Sequence, residues 1–116
     1  MLKIVAASFS LVLAVPVLAD APYDFDKTPG RLPKDIIPTD YELSLVPDIA
    51  NKQINGHESV QLSFRSASAT IQFDSEDETV RDVRFDGKPI SNVVTDNARQ
   101  LTTVTLPAPA AAGSHT

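Results

Sequence analysis

The chain has 116 residues, a formal net charge of −5, nine prolines, four glycines and no cysteine. This length holds one small domain, and the acidic balance argues against a surface built for phosphate backbones. The lack of cysteine excludes disulfides, thiolate metal sites, a cysteine nucleophile and a lipidated bacterial cysteine.

Residues 1–19 differ from the rest. Fifteen of them are apolar, and Lys3 is the only charge. A basic start, an apolar stretch and small residues at Val17-Leu18-Ala19 or Ala19-Asp20-Ala21 read as a secretory signal peptide. The stretch falls short of the roughly 20 residues a membrane-spanning helix needs, and Pro16 interrupts its end. The mature chain is expected to begin at Asp20 or Pro22, periplasmic or secreted, with no membrane attachment after cleavage.

Residues 20–38 contain Pro22, Pro29, Gly30, Pro33 and Pro38, which predicts an extended lead-in with neither helix nor central strand. Residues 39–116 then read as a β-domain. Tyr41, Leu43 and Leu45 alternate with Glu42 and Ser44 as a half-buried strand that ends at Pro47. After a polar loop, Ile54, Val60, Leu62 and Phe64 share one parity of a longer strand. Gly56 and Glu58 occupy that apolar parity, which places the strand's start at an edge or beside a bulge.

Ile71 and Phe73 mark a third strand. Val80, Val83 and Phe85 predict a fourth with a bulge, and Asp86-Gly87 signals a tight hairpin turn. The return runs over residues 88–95, and a last strand covers residues 101–106. Residues 107–112, rich in proline and alanine, read as a loop. Gly113-Ser114-His115-Thr116 then announces a further strand at which the sequence looks cut. The fold class expected is all-β, an antiparallel sandwich or saddle, incomplete.

Candidate chemistry is sparse. His57-Glu58-Ser59-Val60-Gln61 nearly matches H-E-x-x-H, which binds zinc when a helix sets two histidines at i and i+4 on one face. Here the fifth residue is Gln61, and the local period is that of a strand, which turns His57 and Glu58 to opposite faces. His115 lies in the tail. The acidic run 74–78 lacks the spacing and the turn glycine of a calcium loop, and it cannot fix a glycosidase carboxylate pair. It reads as a solvated loop. No serine, Ser8 and Ser10 included, has a nucleophile-elbow context, and no aromatic platform suits nucleic acid. No catalytic, cofactor-binding or metal-ligating residue is assigned.

The order of these signals carries a resemblance. Arg31-Leu32-Pro33, then Pro38-Thr39-Asp40-Tyr41, the alternating strand and Pro47-Asp48 resemble the opening of the N-terminal domain of aminopeptidase N-like zinc metallopeptidases. Ile54-Asn55-Gly56 with Val60, Leu62 and Phe64 is similar to that domain's next strand. Ile71-Gln72-Phe73-Asp74, residues 80–85 and Leu106-Pro107-Ala108-Pro109 look like the succeeding segments.

The resemblance implies a β-rich domain that packs on a downstream catalytic domain and helps wall its substrate cavity. It places zinc, H-E-x-x-H and G-x-M-E-N in that missing domain, so that peptide substrate meets only the complete enzyme. The N-domain glutamine or glutamate that can line the family's substrate site would also lie beyond Thr116. The expected role is therefore a structural piece of an exported aminopeptidase, without chemistry of its own. The alternative is a self-contained exported β-sandwich that binds protein or glycan.

Overall fold

In the computed structural model, residues 21–116 are described; the leader expected over residues 1–19 lies outside them. Eight strands follow in order: β1 (Ile36–Asp48), β2 (Gln53–Phe64), β3 (Ser68–Asp74), β4 (Arg84–Phe85), β5 (Lys88–Pro89), β6 (Val93–Asp96), β7 (Leu101–Ala110) and β8 (Gly113–His115). They form a sheet β1-β2-β8, a second sheet β3-β7-β6 and the small hairpin β4-β5. All pairings are antiparallel. The all-β antiparallel class expected from the alternating residues is the one observed, and no barrel closes among the described residues.

β1 is longer than its alternation suggests. It starts at Ile36, inside the proline-rich lead-in, and runs through Pro47 to Asp48. The prolines do not stop it because β1 is an edge strand, where a missing N–H can face away from the ladder. A register shift between Pro38 and Asp40 sets Pro38 opposite Leu62, while Pro47 stands opposite Ile54. Leu62 and Ile54 have the same parity on β2, so one bonding pattern accommodates both prolines. The irregularity thus lies on β1. On β2, Gly56 and Glu58 stay in register opposite Leu45 and Leu43.

The lead-in is folded as well as extended. Asp24 Oδ1 accepts the Asp26 N–H at 3.0 Å, and the Asp24 carbonyl accepts the Thr28 N–H at 3.0 Å, which winds a turn. Lys34 Nζ donates to the carbonyls of Phe25, Asp26 and Thr28. It also sits 5.1 Å from the Phe25 ring, whose centre is 5.8 Å from the Arg65 guanidinium carbon. Arg31 donates to the Asp74 carboxylate and to the carbonyls of Arg99 and Gln100, which ties the lead-in to the second sheet.

The predicted fourth strand shrinks to Arg84–Phe85, and the left-handed backbone at Asp82 (φ 53°) breaks the run before it. The turn signal holds. Asp86 (φ 47°) and Gly87 (φ 76°) both take the positive φ that a two-residue hairpin turn needs. Gly87→Ala is expected to cost about 1 kcal/mol through this φ alone, since a Cβ there meets no atom within 4 Å. Urea titration of both proteins would check it.

β7 continues through Pro107 and Pro109 to Ala110, where the composition suggested a loop. Pairing with β6 reaches no further than Val104, so the proline-bearing half has a free flank. The interior side of β7 is the clearest core in the molecule: Thr102, Val104 and Leu106 are buried and alternate with half-buried neighbours. Phe64, at the end of β2, is the other buried apolar residue among those described.

Candidate functional site

Three places come into question, and the first is the near-motif. His57 and Glu58 stand in mid-β2, exposed, opposite Ser44 and Leu43. Consecutive strand residues point to opposite faces, so these two cannot meet at one atom. Gln61 shares the His57 parity but lies about 13 Å along the strand, roughly twice the separation of i and i+4 residues on a helix. The set does not fit the zinc ion that the resemblance implies. Among the described residues, no three His, Asp or Glu side chains gather as a metal shell.

The second is the acidic run. Asp74 closes β3 and pairs with Arg31, while Glu76 Oε1 accepts from Gln100 Nε2 at 2.7 Å. Asp77 has a φ of 53°. Within this otherwise solvated loop, Ser75 is buried, a position the charge pattern concealed. Its hydroxyl is 2.7 Å from that of Thr102, which is 2.9 Å from the hydroxyl of Thr95. These three hydroxyls bind the loop, β7 and β6 together. No histidine or carboxylate is bonded to them to activate a nucleophile, so the cluster is structural.

The third is His115, which the sequence left in a tail. It belongs to β8, pairs with Leu62, and its ring lies 4.7 Å from that of Phe64 and 5.0 Å from that of Phe85. Nδ1 is 2.8 Å from Asp86 Oδ2, and Nε2 is 2.9 Å from the Ala111 carbonyl. A carboxylate and a carbonyl only accept, so both ring nitrogens are satisfied when both carry protons. The Asp86 hydrogen bond, followed by the Ala111 carbonyl, raises the His115 pKa above its usual 6.5. In return His115, followed by the Thr116 N–H, lowers that of Asp86 below 3.8.

Two signs follow. A raised histidine pKa gives stability that is fully present below pH 6.5 and disappears as pH rises through the folded-state value. A lowered aspartate pKa gives stability that is present above pH 3.8 and disappears as pH falls through its folded-state value. Asp24, held down first by Lys27, and Asp48, held down first by Asn51, act in the same direction as Asp86. Resistance to urea is expected to peak between these limits. His115→Gln should flatten the alkaline side of that profile and weaken the Asp86 part of the acid side, leaving Asp24 and Asp48 unchanged there.

Two surface depressions offer little chemistry. One of about 400 Å³ is lined by Asp82, Val83, Arg84, Pro89, Ile90 and Ser91. Its neighbour, of about 160 Å³, is walled largely by Ile90, Thr105, Leu106 and two prolines. Neither wall contains a histidine, and the first carries one acid and one base, Asp82 and Arg84.

The feature that stands out is a face. Tyr41, Leu43 and Leu45 are 59%, 59% and 56% exposed, and Ile54 is 68% exposed. Their cross-strand register puts them on one side of the β1-β2 ribbon with Gly56, Glu58 and Val60. Alternating apolar residues of this kind ordinarily mark the buried side of a sheet, and here that side is open among the described residues. No helix among them is long and apolar enough to cross a membrane.

Comparison with known proteins gives one informative similarity. The chain is 27% identical over 104 residues to an aminopeptidase N of Acetobacter pasteurianus, an alignment that covers 90% of this chain and 29% of that protein. The chain thus spans less than a third of the length of this relative. No family model matches the chain, and no solved structure matches it. The similarity supports the aminopeptidase N-like resemblance carried by Arg31, Leu32, Pro33, Tyr41, Pro47 and the strands that follow.

Proposed function

We propose that this chain is the scaffold part of an exported aminopeptidase N-like zinc metallopeptidase, a β-domain that supports the catalytic part and performs no chemistry itself. The similarity over 90% of the chain but 29% of the relative carries this reading. The open apolar face of the β1-β2 ribbon supports it, since a supporting domain presents such a face to its neighbour. The parent would remove residues from the amino termini of peptides, and its zinc would polarise the reaction from a domain other than this one. The residues present here do not fit that ion, because His57 and Glu58 diverge across a strand. Export rests on the leader at residues 1–19, and the amino terminus of the mature protein should be Asp20 or Pro22 by mass spectrometry.

Reading the genomic frame beyond codon 116 tests the proposal. An open frame that encodes H-E-x-x-H and G-x-M-E-N is expected, whereas a stop codon there would overturn it. The isolated chain should take up no stoichiometric zinc and hydrolyse no aminoacyl substrate. Peptidase activity that is abolished by His57→Ala would overturn the assignment from the other side.

A further inference from the structure

Asn55-Gly56 is the one asparagine-glycine step in the sequence. Both residues are exposed near the start of β2, close to the 49–52 loop. Val46 stands opposite Asn55 and offers its side-chain amide no polar group. Glycine at position 56 leaves the next main-chain nitrogen unshielded, because no Cβ hinders its approach to the Asn55 side chain.

Comparable steps elsewhere are guarded. Asn51 Nδ2 donates to Asp48 Oδ2 at 2.8 Å, and Lys52 follows it. Asn92 precedes the β-branched Val93, and Asn97 precedes Ala98. Asp86-Gly87 has the glycine but not a free carboxyl group. Its Oδ1 accepts the Thr116 N–H at 2.9 Å, and its Oδ2 lies 2.8 Å from His115 Nδ1. Both bonds favour the carboxylate, a poor electrophile.

The strand sets the timing at Asn55. An extended backbone holds the Gly56 nitrogen away from the Asn55 side-chain carbon, so the ribbon end must open first. Little keeps it closed. Pro47 lacks an N–H, so its pair with Ile54 is of the kind without main-chain hydrogen bonds. Alternation then leaves two bonded pairs between the loop and Gly56, Asp48 with Gln53 and Val46 with Asn55. Residues 41–47 and 53–58 are exposed, so no buried side chain adds to those bonds.

We infer that Asn55 is a self-modification site, which loses its amide to attack by the Gly56 nitrogen when the loop end of the β1-β2 ribbon opens. The Gly56 nitrogen gives its proton to solvent and bonds to Asn55 Cγ. The Cγ–Nδ2 bond breaks, and the amide leaves as ammonia after taking up a proton. Water then opens the five-membered succinimide. Cleavage at Cγ gives aspartate, whereas cleavage at the main-chain carbonyl carbon gives isoaspartate. Isoaspartate adds one carbon to the main chain opposite Val46, which prevents the ribbon end from regaining its register. This needs nothing outside these residues and stands whether or not the scaffold reading holds.

The test follows the full chain in mildly alkaline buffer, with mass spectrometry of the peptide around each asparagine and an assay for isoaspartate. Asn55 should convert about tenfold faster than Asn51, Asn92 or Asn97. Unfolding in urea should speed the conversion of Asn55 by about tenfold, because the strand no longer restrains it. Gly56→Ala should slow it by about tenfold, in urea as well as in buffer. The added methyl lies 2.8 Å from Leu45 Cδ2, the end of a flexible side chain that can turn aside. The arm in urea separates the loss of glycine from any change in the ribbon. Conversion at Asn55 no faster than at the other asparagines overturns the inference. So does an unaltered rate in Gly56→Ala, or the same rate with and without urea.

Discussion

Phe64→Ala is expected to destabilise the protein by about 3–5 kcal/mol, the usual cost of emptying a buried phenylalanine site. Phe64 is 3% exposed, and among the described apolar residues only Val104 and Leu106 are comparably buried. Its ring lies 5.9 Å from that of Phe85 and 4.7 Å from that of His115, so one side chain links the end of β2 to both the β4-β5 hairpin and β8. A domain with so few buried side chains has little reserve against a loss of this size. The expected readout is a urea transition that moves to much lower concentration or loses its cooperativity. Phe64→Leu, which refills much of the space, should lose far less. A Phe64→Ala protein within about 1 kcal/mol of the parent would show that the aromatic trio does not hold these elements together.

Thr102→Val should come next, at about 1–3 kcal/mol. The two side chains have nearly the same shape, so the effect isolates the hydroxyl. Thr102 has no exposed surface and is the shared partner of Ser75 and Thr95. Without it, the Ser75 hydroxyl, in a residue only 3% exposed, loses the side-chain hydrogen bond it makes. Ser75→Ala in the Thr102→Val background should then recover part of the loss, because removing both polar groups is cheaper than stranding one. Additive losses in the double variant would contradict the hydroxyl chain as the cause.

Local pattern accounts for much of this fold. The alternation from Tyr41 to Leu45 and from Val60 to Phe64 located the first sheet, and Asp86-Gly87 located the hairpin turn. The prolines misled in a consistent way. Pro38, Pro47, Pro107 and Pro109 read as breaks, yet all lie within strands. Proline is excluded from a strand only where its N–H is needed, and which flank is free depends on partners many residues away. Val80 misled in the opposite way, since an apolar residue near a turn signal need not pair. At the candidate site, the period of two at His57-Glu58 is by itself enough to separate those side chains. Neither the Ser75-Thr102-Thr95 chain nor the His115–Asp86 pair was legible, because each joins residues from separate elements whose types are ordinary for exposed loops and tails. A threonine at core parity in β7 was the one available hint.

The unequal spans of the two sheets bear on how the chain folds as it is made. β1 and β2 are joined by the four residues 49–52, with Asp48 accepting the Asn51 N–H at 3.1 Å, so their pairing closes as soon as both have emerged. β3 must wait for β7, whose Leu101 meets Asp74, and Arg31 cannot reach the Arg99 and Gln100 carbonyls until that late stretch arrives. During synthesis the hairpin therefore stands alone with its apolar side uncovered, the period in which an unassembled chain is most attractive to chaperones and most prone to cluster.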